Sequence, residues 1–192
     1  MIAEFDSLAD DKLVNLLQNG AIGVLPTDTV YGLVGCANNI DAVNRLYKLK
    51  NRNKKPGTII AANINQLVDL GIKKRYLKAV EQFWPGPVSV ILPYSAQNNS
   101  LRLDLNVGTI AVRVTADDDL KKLLIKTGPF LTTSANRPGQ PTANTIHEAK
   151  KIFGETVDFY VNGGNLKDHQ PSTIIRIVDD AVEVLRLGAT KL

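Results

Sequence analysis

The chain has 192 residues, of which 44% are hydrophobic and 22% are charged, and it carries a formal net charge of +4. This length can bury a sizeable core, and we predict a single domain over residues 1–192. One cysteine, Cys36, excludes an intramolecular disulfide and a cysteine-based zinc cluster, and two histidines are too few for a multi-histidine metal site. No apolar run is long enough to span a membrane and the first residues lack a signal-peptide pattern, so we expect a cytoplasmic protein without membrane contact.

Helical and strand patterns alternate along the chain. The first half predicts, in order, a helix capped by Asp6 and stopped at Asn19-Gly20, a strand at 21–25, a helix from Asp41 to Leu49, a strand at 58–62, a basic amphipathic helix at 73–83, and strands at 88–92 and 109–114. The second half predicts a helix at 117–126, a strand at 130–133, a helix from the capping box at Thr145 to near Gly154, and strands at 157–161, 173–178 and 182–187.

This order of elements predicts an α/β fold in which helices flank a mixed, twisted sheet. Neighbouring strands near the end of the chain favour antiparallel pairs, which argues against a purely parallel sheet. Open sheets of this class bind ligands in a cleft at the ends of strands. Residues at the predicted strand ends are therefore the candidates for function.

The segment from Lys48 to Gly57 concentrates positive charge immediately before the apolar strand at 58–62. Its five cations are Lys48, Lys50, Arg52, Lys54 and Lys55. Cations spaced by two at the end of a buried strand can converge on phosphate groups. Taken alone, such a run of charges favours a solvated lysine-rich loop.

Further strand ends carry hydroxyl, amide or guanidinium groups. Thr27-Asp28-Thr29 follows the first predicted strand, Arg113 interrupts an apolar strand, Ser134 and Asn136 follow another, and Ser172 precedes a later one. A turn explains the hydroxyl clusters, and a structural ion pair explains a charge between apolar neighbours. Together with the cationic segment, however, these groups indicate one shared cleft.

Several catalytic motifs are absent from the sequence. There is no G-x-x-x-x-G-K-[ST] loop, no G-x-G-x-x-G after the first strand and no G-x-S-x-G elbow. Cys36 lies among apolar residues and is interpreted as a core thiol, while His147 and His169 are expected at the surface. The predicted cleft therefore favours binding and electrostatic stabilisation over catalysis by a protein nucleophile.

Six motifs occur in order along the chain: Pro26-Thr-x-Thr-x-Tyr-Gly-Leu33, Lys50-x-Arg52, Trp84-Pro-Gly-Pro87, Ala111-Val-Arg-Val114, Thr133-Ser-Ala-Asn136 and Pro171-Ser-Thr173. The combination spans nearly the whole chain and resembles the YrdC/TsaC family of threonylcarbamoyl-AMP synthases. In length the chain is similar to the short, single-domain members. The resemblance implies a YrdC-like domain with an open cleft and a nucleotidyltransferase activity.

The resemblance also implies the reaction, in which L-threonine, bicarbonate (or CO2) and ATP with Mg²⁺ give L-threonylcarbamoyl-AMP and pyrophosphate. This is the first step of threonylcarbamoyladenosine modification of tRNA, and later steps would need other proteins. It assigns catalysis to Lys50 and Arg52. The implied ATP-binding residues are Lys50, Arg52, Pro56, Thr109, Asn136, Asn144 and Arg186, and the implied threonine-binding residues are Thr29, Arg113, Ser134 and Ser172. Mg²⁺ would be held by phosphates and water rather than by protein ligands.

Two alternatives stay open. The basic chain is compatible with an RNA-binding module that contacts double-stranded RNA or tRNA, whose affinity should fall steeply with salt. The other alternative is a YrdC-like homologue that keeps the cleft but uses another carbamoyl-type substrate. The Lys-x-Arg and Ser-Ala-Asn motifs favour the synthase.

Overall fold

The computed structural model describes residues 2–51, 55–95, 103–179 and 181–190. Within these ranges the strands are β1 (Ala3–Phe5), β2 (Gly23–Pro26), β3 (Tyr31–Cys36), β4 (Thr58–Ala61), β5 (Val88–Pro93), β6 (Thr109–Val114), β7 (Phe130–Ser134), β8 (Phe159–Val161), β9 (Thr173–Val178) and β10 (Ala181–Arg186). They join into one sheet in the order β1-β8-β2-β3-β7-β4-β6-β5-β9-β10. Parallel and antiparallel pairs both occur, so the predicted mixed sheet is confirmed.

Six α-helices lie within the same ranges. They are α1 (Asp11–Gln18), α2 (Ile40–Leu49), α3 (Ile64–Asp69), α4 (Lys74–Lys78), α5 (Asp118–Thr127) and α6 (Ile146–Phe153). Most begin at a residue whose side chain accepts a hydrogen bond from a free backbone N–H of the first turn, which stabilises the helix start. These capping residues are Asp10, Asn39, Asn63, Asp117 and Thr145.

Two predicted helices are wrong in their bounds. Asp6 does not cap the first helix, because the residues just before it pair with β8 as β1, and Asp10 caps α1 by accepting from the Lys12 N–H at 2.7 Å. The basic helix at 73–83 is shorter, since α4 ends at Lys78 and a 3-10 turn occupies Glu81–Phe83. A proline disfavours helical geometry in the residue before it, and here Pro85 follows Trp84, the residue that ends this turn.

One face of the sheet is covered by helices α2, α3, α4 and α6. Their apolar residues form one hydrophobic cluster with strand residues that include Leu33, Ile59, Val112 and Leu131. These strand residues alternate with neighbours that point to the opposite face, as expected for extended chain. This face is therefore a continuous core. No described helix has both the length and the apolar character needed to cross a membrane.

The opposite face is covered over only part of its area. Helices α1 and α5 pack there against Val34, Cys36, Ile60 and Phe130. Further along the same face the register sets Thr132 opposite Val34 and Thr58, and Thr58 opposite Ala111. Residues directly opposite one another in a sheet share a face. The uncovered part is therefore made of small and hydroxyl-bearing side chains, and it forms the floor of a cleft.

Candidate functional site

The cleft contains a cavity of about 220 Å³ above the uncovered part of the sheet. Its wall combines hydroxyl groups and two guanidinium groups with apolar side chains that include Val30, Ile91 and Ile174. The polar lining residues are Thr27, Thr29, Thr58, Arg113, Thr132, Thr133, Ser134, Ser172 and Arg186. Such a wall can donate many hydrogen bonds to an anionic or zwitterionic ligand.

The turn between β2 and β3 is fixed by its own hydroxyl groups. Thr27 Oγ1 donates to the Val30 carbonyl oxygen at 2.7 Å and accepts from the Thr29 N–H at 3.2 Å. The hydroxyl oxygens of Thr27 and Thr29 lie 3.0 Å apart. Because the Thr27 proton is already used, the Thr29 hydroxyl is the donor of this pair. The turn therefore presents Thr29 to the cavity in a defined orientation.

Arg113 lies at the border between the cleft and the covered core. Its Nη2 is 3.0 Å from Asp28 Oδ1, and the two side chains are only 4% and 7% exposed. A weaker contact of 3.4 Å joins Nη1 to the Thr29 hydroxyl. Burial lowers the pKa of the Arg113 guanidinium, which Asp28 opposes and nearby Arg186 reinforces. Burial likewise raises the pKa of the Asp28 carboxyl, although Arg113 counteracts the shift.

Asp28 and Arg113 form an ion pair whose geometry does not meet that of a hydrogen bond. Among the described residues, both Asp28 carboxylate oxygens and Arg113 Nε are buried without a hydrogen-bond partner. A buried polar group in this state normally costs free energy. The pair therefore keeps hydrogen-bonding capacity unused at the edge of the cavity.

Lys50 organises the loop that follows β7. It ends α2 and is 4% exposed, and its Nζ donates to the Ser134 carbonyl at 3.0 Å. The same ammonium donates to the Asn136 backbone carbonyl at 2.6 Å and to its side-chain Oδ1 at 2.7 Å. The Ser134 hydroxyl also donates to Asn136 Oδ1 at 2.7 Å. Lys50, Ser134 and Asn136 thus form one polar cluster, and Ser134 links it to the cavity.

The opposite wall is built by β9 and β10. The Arg186 Nη2 donates to the Ser172 carbonyl at 2.6 Å and to its hydroxyl at 3.1 Å. The buried Ser89 hydroxyl lies 2.9 Å from the Ser172 hydroxyl. Desolvation beside the cavity lowers the pKa of Arg186. In this arrangement Arg186 fixes Ser172 in addition to placing positive charge at the cavity.

The structure brings six predicted site residues to the cavity wall. They are Thr29, Pro56, Arg113, Ser134, Ser172 and Arg186. Lys50 and Asn136 join them through Ser134, as described above. Close approach of the chain at Gly57 holds Pro56 near β7, since a Cβ there would lie 2.7 Å from the Thr132 carbonyl.

Two described residues that were predicted for the site, Thr109 and Asn144, are not among those that line this cavity. Thr109 is exposed at the start of β6, opposite Pro93. Asn144 donates its backbone N–H to Glu148 and accepts from the Leu166 N–H. Arg52 lies outside the described residues. The roles assigned to these three residues stay predictions.

Sequence reasoning missed Thr58 and Thr132 as lining residues and gave Asp28 no role of its own. Thr58 begins a strand predicted from its apolar residues, and Thr132 immediately precedes the Thr133-Ser-Ala-Asn136 motif, to which the assignment was given. The two threonines lie opposite each other only through the cross-strand register. The available signal was a pair of threonines that lie opposite each other and beside small residues. It can be interpreted only when the strand pairing is known.

Comparison with known proteins places the chain in a family. The Sua5_yciO_yrdC family model, described as "Telomere recombination", matches residues 15–188. A protein of Pseudoalteromonas translucida (strain TAC 125) named threonylcarbamoyl-AMP synthase is 39% identical over 171 residues, which cover 84% of this chain and 89% of that protein. The name of this relative agrees with the motif resemblance.

Solved structures agree with the family assignment. Sua5 of P. abyssi complexed with L-threonine superposes with a TM-score of 0.82 at 27% identity, and the match covers 98% of this chain but 57% of that one. E. coli YciO superposes with a TM-score of 0.83 at 25% identity and is covered over 98% of its length. The chain therefore spans little more than half of that Sua5 but nearly all of YciO. By sequence and by fold, the chain belongs to the Sua5/YciO/YrdC family.

Proposed function

We propose that the protein is an L-threonylcarbamoyladenylate synthase, which forms threonylcarbamoyl-AMP and pyrophosphate from L-threonine, bicarbonate (or CO2) and ATP. The observation that carries the proposal is the buried Arg113 in a hydroxyl-lined cavity next to the Lys50–Ser134–Asn136 cluster. The Arg113 end of this arrangement suits an amino-acid carboxylate, and the positive charge of Lys50 at the other end favours the approach of phosphate groups. The names of the relatives support the same activity.

Threonine is assigned to the Arg113 end of the cavity. A guanidinium binds a carboxylate through two parallel N–H groups, a geometry that lysine cannot reproduce. The hydroxyls of Thr29, Ser134 and Ser172 line the same cavity and can hydrogen-bond the amino acid's ammonium and hydroxyl groups. Together these contacts would orient the substrate nitrogen for carboxylation.

ATP is assigned to the side of the cavity that leads to Lys50, and Arg52 is proposed from the sequence as a further phosphate contact. In the reaction, an oxygen of the threonine carbamate attacks the α-phosphorus, and the bond to the pyrophosphate leaving group breaks. Such a displacement depends on positioning and charge neutralisation, which cations and amides supply without a covalent intermediate on the protein. Asn136, Asn144, Thr109 and Arg186 are proposed nucleotide contacts. Mg²⁺, which would neutralise phosphate charge, is proposed to enter with ATP and to keep mainly phosphate and water ligands.

The product is proposed to serve tRNA modification. Transfer of the threonylcarbamoyl group to adenosine would be carried out by separate proteins, and direct tRNA contact is part of this proposal. A cytoplasmic location is proposed because ATP and tRNA are available there. The exposed cations of the segment Lys73–Lys78 are the feature that favours RNA contact.

Pyrophosphate release tests the proposed reaction. The wild-type protein should release pyrophosphate from ATP only when both L-threonine and bicarbonate are present with Mg²⁺. Arg52→Ala should lower turnover by about 100-fold, the order expected for loss of one group that stabilises transition-state charge. Lys48→Ala, which removes an exposed cation of the same segment, is the matched control and should stay near wild type.

Two outcomes would contradict the proposal. Equal pyrophosphate release with and without threonine would indicate a plain ATPase or another amine substrate. No release under any condition, together with RNA binding that weakens steeply as salt rises, would favour the RNA-binding module instead.

A further inference from the structure

The fold itself does not require charged side chains at the buried positions of Asp28 and Arg113. Both side chains are almost completely buried at the edge of an otherwise apolar core, and neither Asp28 oxygen has a hydrogen bond of good geometry within the described part of the chain. Replacing a buried ion pair by apolar side chains is often neutral or stabilising. Retention of such a pair is therefore a reason to look for a role in binding.

Asp28 provides the main electrostatic contact that locates the Arg113 guanidinium. Within the described residues, the guanidinium has the 3.0 Å contact from Nη2 to Asp28 and the longer 3.4 Å contact from Nη1 to Thr29. The Nε–H has no partner. A flexible arginine side chain held by one weak hydroxyl contact could adopt several rotamers, so the position of Arg113 depends on Asp28.

Asp28 is itself well placed to act as a fixed anchor. It lies between Thr27 and Thr29, whose hydroxyls and backbone fix the β2–β3 turn through three short contacts. Asp28 is absent from the residues that line the cavity, whereas Thr27, Thr29 and Arg113 are present. The contact with Arg113 is therefore the direct link between Asp28 and a charged group of the cavity wall.

The charge balance of the cavity supports the same conclusion. Arg186 is close enough to disfavour the positive charge of Arg113, and burial weakens the charged state of both arginines. Asp28 supplies the opposing negative charge beside Arg113. When a carboxylate binds in the cavity, the guanidinium of Arg113 at the cavity wall can donate to it.

We propose that Asp28 is a positioning residue that holds the Arg113 guanidinium in the orientation that binds the carboxylate of the amino-acid substrate. This inference deepens the proposed function and rests on it for the identity of the substrate. Asp28 touches neither substrate nor reacting atoms in this account. Its role is to set the affinity for the carboxylate, with little effect on the binding of ATP.

Binding and kinetics of Asp28→Asn test the inference. Asparagine has nearly the same shape but lacks the charge, so the dissociation constant and KM for L-threonine should rise about 10- to 100-fold, in the range expected when one member of a buried charge pair is lost. The KM for ATP and kcat at saturating threonine should change by less than about 3-fold. L-Threoninamide, which lacks the carboxylate, should bind wild type and variant equally weakly.

Asp158→Asn is the matched control for loss of an ion pair. Asp158 pairs with Arg45 at 2.8 Å on the surface, away from the cavity. Surface ion pairs contribute little, so this variant should keep wild-type affinity for threonine and ATP. If Asp28→Asn does not fold, Asp28→Glu retains the charge and displaces it by one methylene group. The longer side chain should raise the threonine KM alone, by a smaller factor.

Each result has a defined meaning. An unchanged threonine affinity in Asp28→Asn, or an equal loss of threoninamide and ATP affinity, would overturn the positioning role. If Asp28→Glu is the variant that folds, wild-type threonine affinity in it would overturn the role as well. Threonine binding by the wild type without pyrophosphate release would contradict the proposed reaction and leave the binding test of Asp28 valid. Absence of threonine binding by the wild type would reject both.

Discussion

One half of a sheet face is covered by helices, and the other half of the same face lines an open cavity. In one half, Phe130 and Ile60 are fully covered by α1 and α5. In the other, Thr132 and Thr58, only two residues away on the same strands, lie under an open cavity. The backbone pairing is continuous across both halves. The difference shows that side-chain chemistry, rather than sheet geometry, determines where the helical layer ends.

The same contrast explains why no apolar helix covers the floor of the cleft in the described part of the chain. Burying hydroxyls under an apolar helix without hydrogen-bond partners would cost free energy, whereas a wet cleft leaves them hydrated. The apolar half gains about 25 cal/mol for each Å² removed from water. The apolar half is therefore stable when covered, and the hydroxyl-bearing half is stable when open. Arg113 lies at the boundary between the covered part of the face and the part that lines the cavity.

Shortening the core side chain should produce the largest change. Phe130→Ala should lower the free energy of unfolding by about 3–5 kcal/mol, because it leaves a cavity under α1 and α5. Thr132→Ala, two residues along the same face, should cost about 1 kcal/mol, the order of its hydrogen bond to the Leu33 carbonyl. Urea unfolding of both variants measures the contrast. Equal losses would mean that the two halves do not differ in this way.

The ion pair at the boundary should show the next largest effect. Asp28→Asn should lower the free energy of unfolding by about 3 kcal/mol, since it leaves the buried Arg113 charge without its partner. The double variant Asp28→Asn with Arg113→Met should recover most of that loss while losing threonine binding. Thermal and chemical unfolding measure the recovery. A double variant less stable than the single one would show that the pair stabilises the fold.

Filling the open half should change ligand binding and leave the free energy of unfolding nearly unchanged. Ala111→Leu adds three carbons to the cavity floor and should weaken threonine or ATP binding about 10-fold, or about 1.4 kcal/mol, without lowering the melting temperature. Ala79→Leu adds the same volume at an exposed position and is the matched control. Calorimetric titration with each ligand measures the loss. Wild-type affinity in Ala111→Leu would place the ligands elsewhere.

Much of the fold could be predicted because local patterns and final structure agree. The strand at 173–178 and the helix that starts after Asp117 were predicted nearly to the residue. By contrast, β3 was missed, because Tyr31-Gly32 and Gly35 interrupt the strand pattern with residues typical of turns. The sheet overrides that local preference by pairing β3 with β2 and β7. Glycine loses more backbone entropy than other residues when a strand forms, and the hydrogen bonds to both neighbouring strands offset that cost.

The site was predictable where a residue contradicted its surroundings. Arg113 could be identified because a charge between apolar strand residues needs a partner or a cleft. Its partner Asp28 is far away in sequence and looked like an ordinary turn residue. Thr58 and Thr132 have no unusual neighbours at all. Their contribution depends on strand register, which a single sequence does not encode locally.

The alternation along β7 has a consequence for how members of this family can diverge. Phe130, Thr132 and Ser134 occupy every second position, so a one-residue shift of the whole strand would move all three to the opposite face. Such a shift would remove Phe130 from the core and Thr132 and Ser134 from the cavity wall together. Side-chain replacement at 132 or 134, by contrast, would alter the cavity wall while leaving the register and the core unchanged.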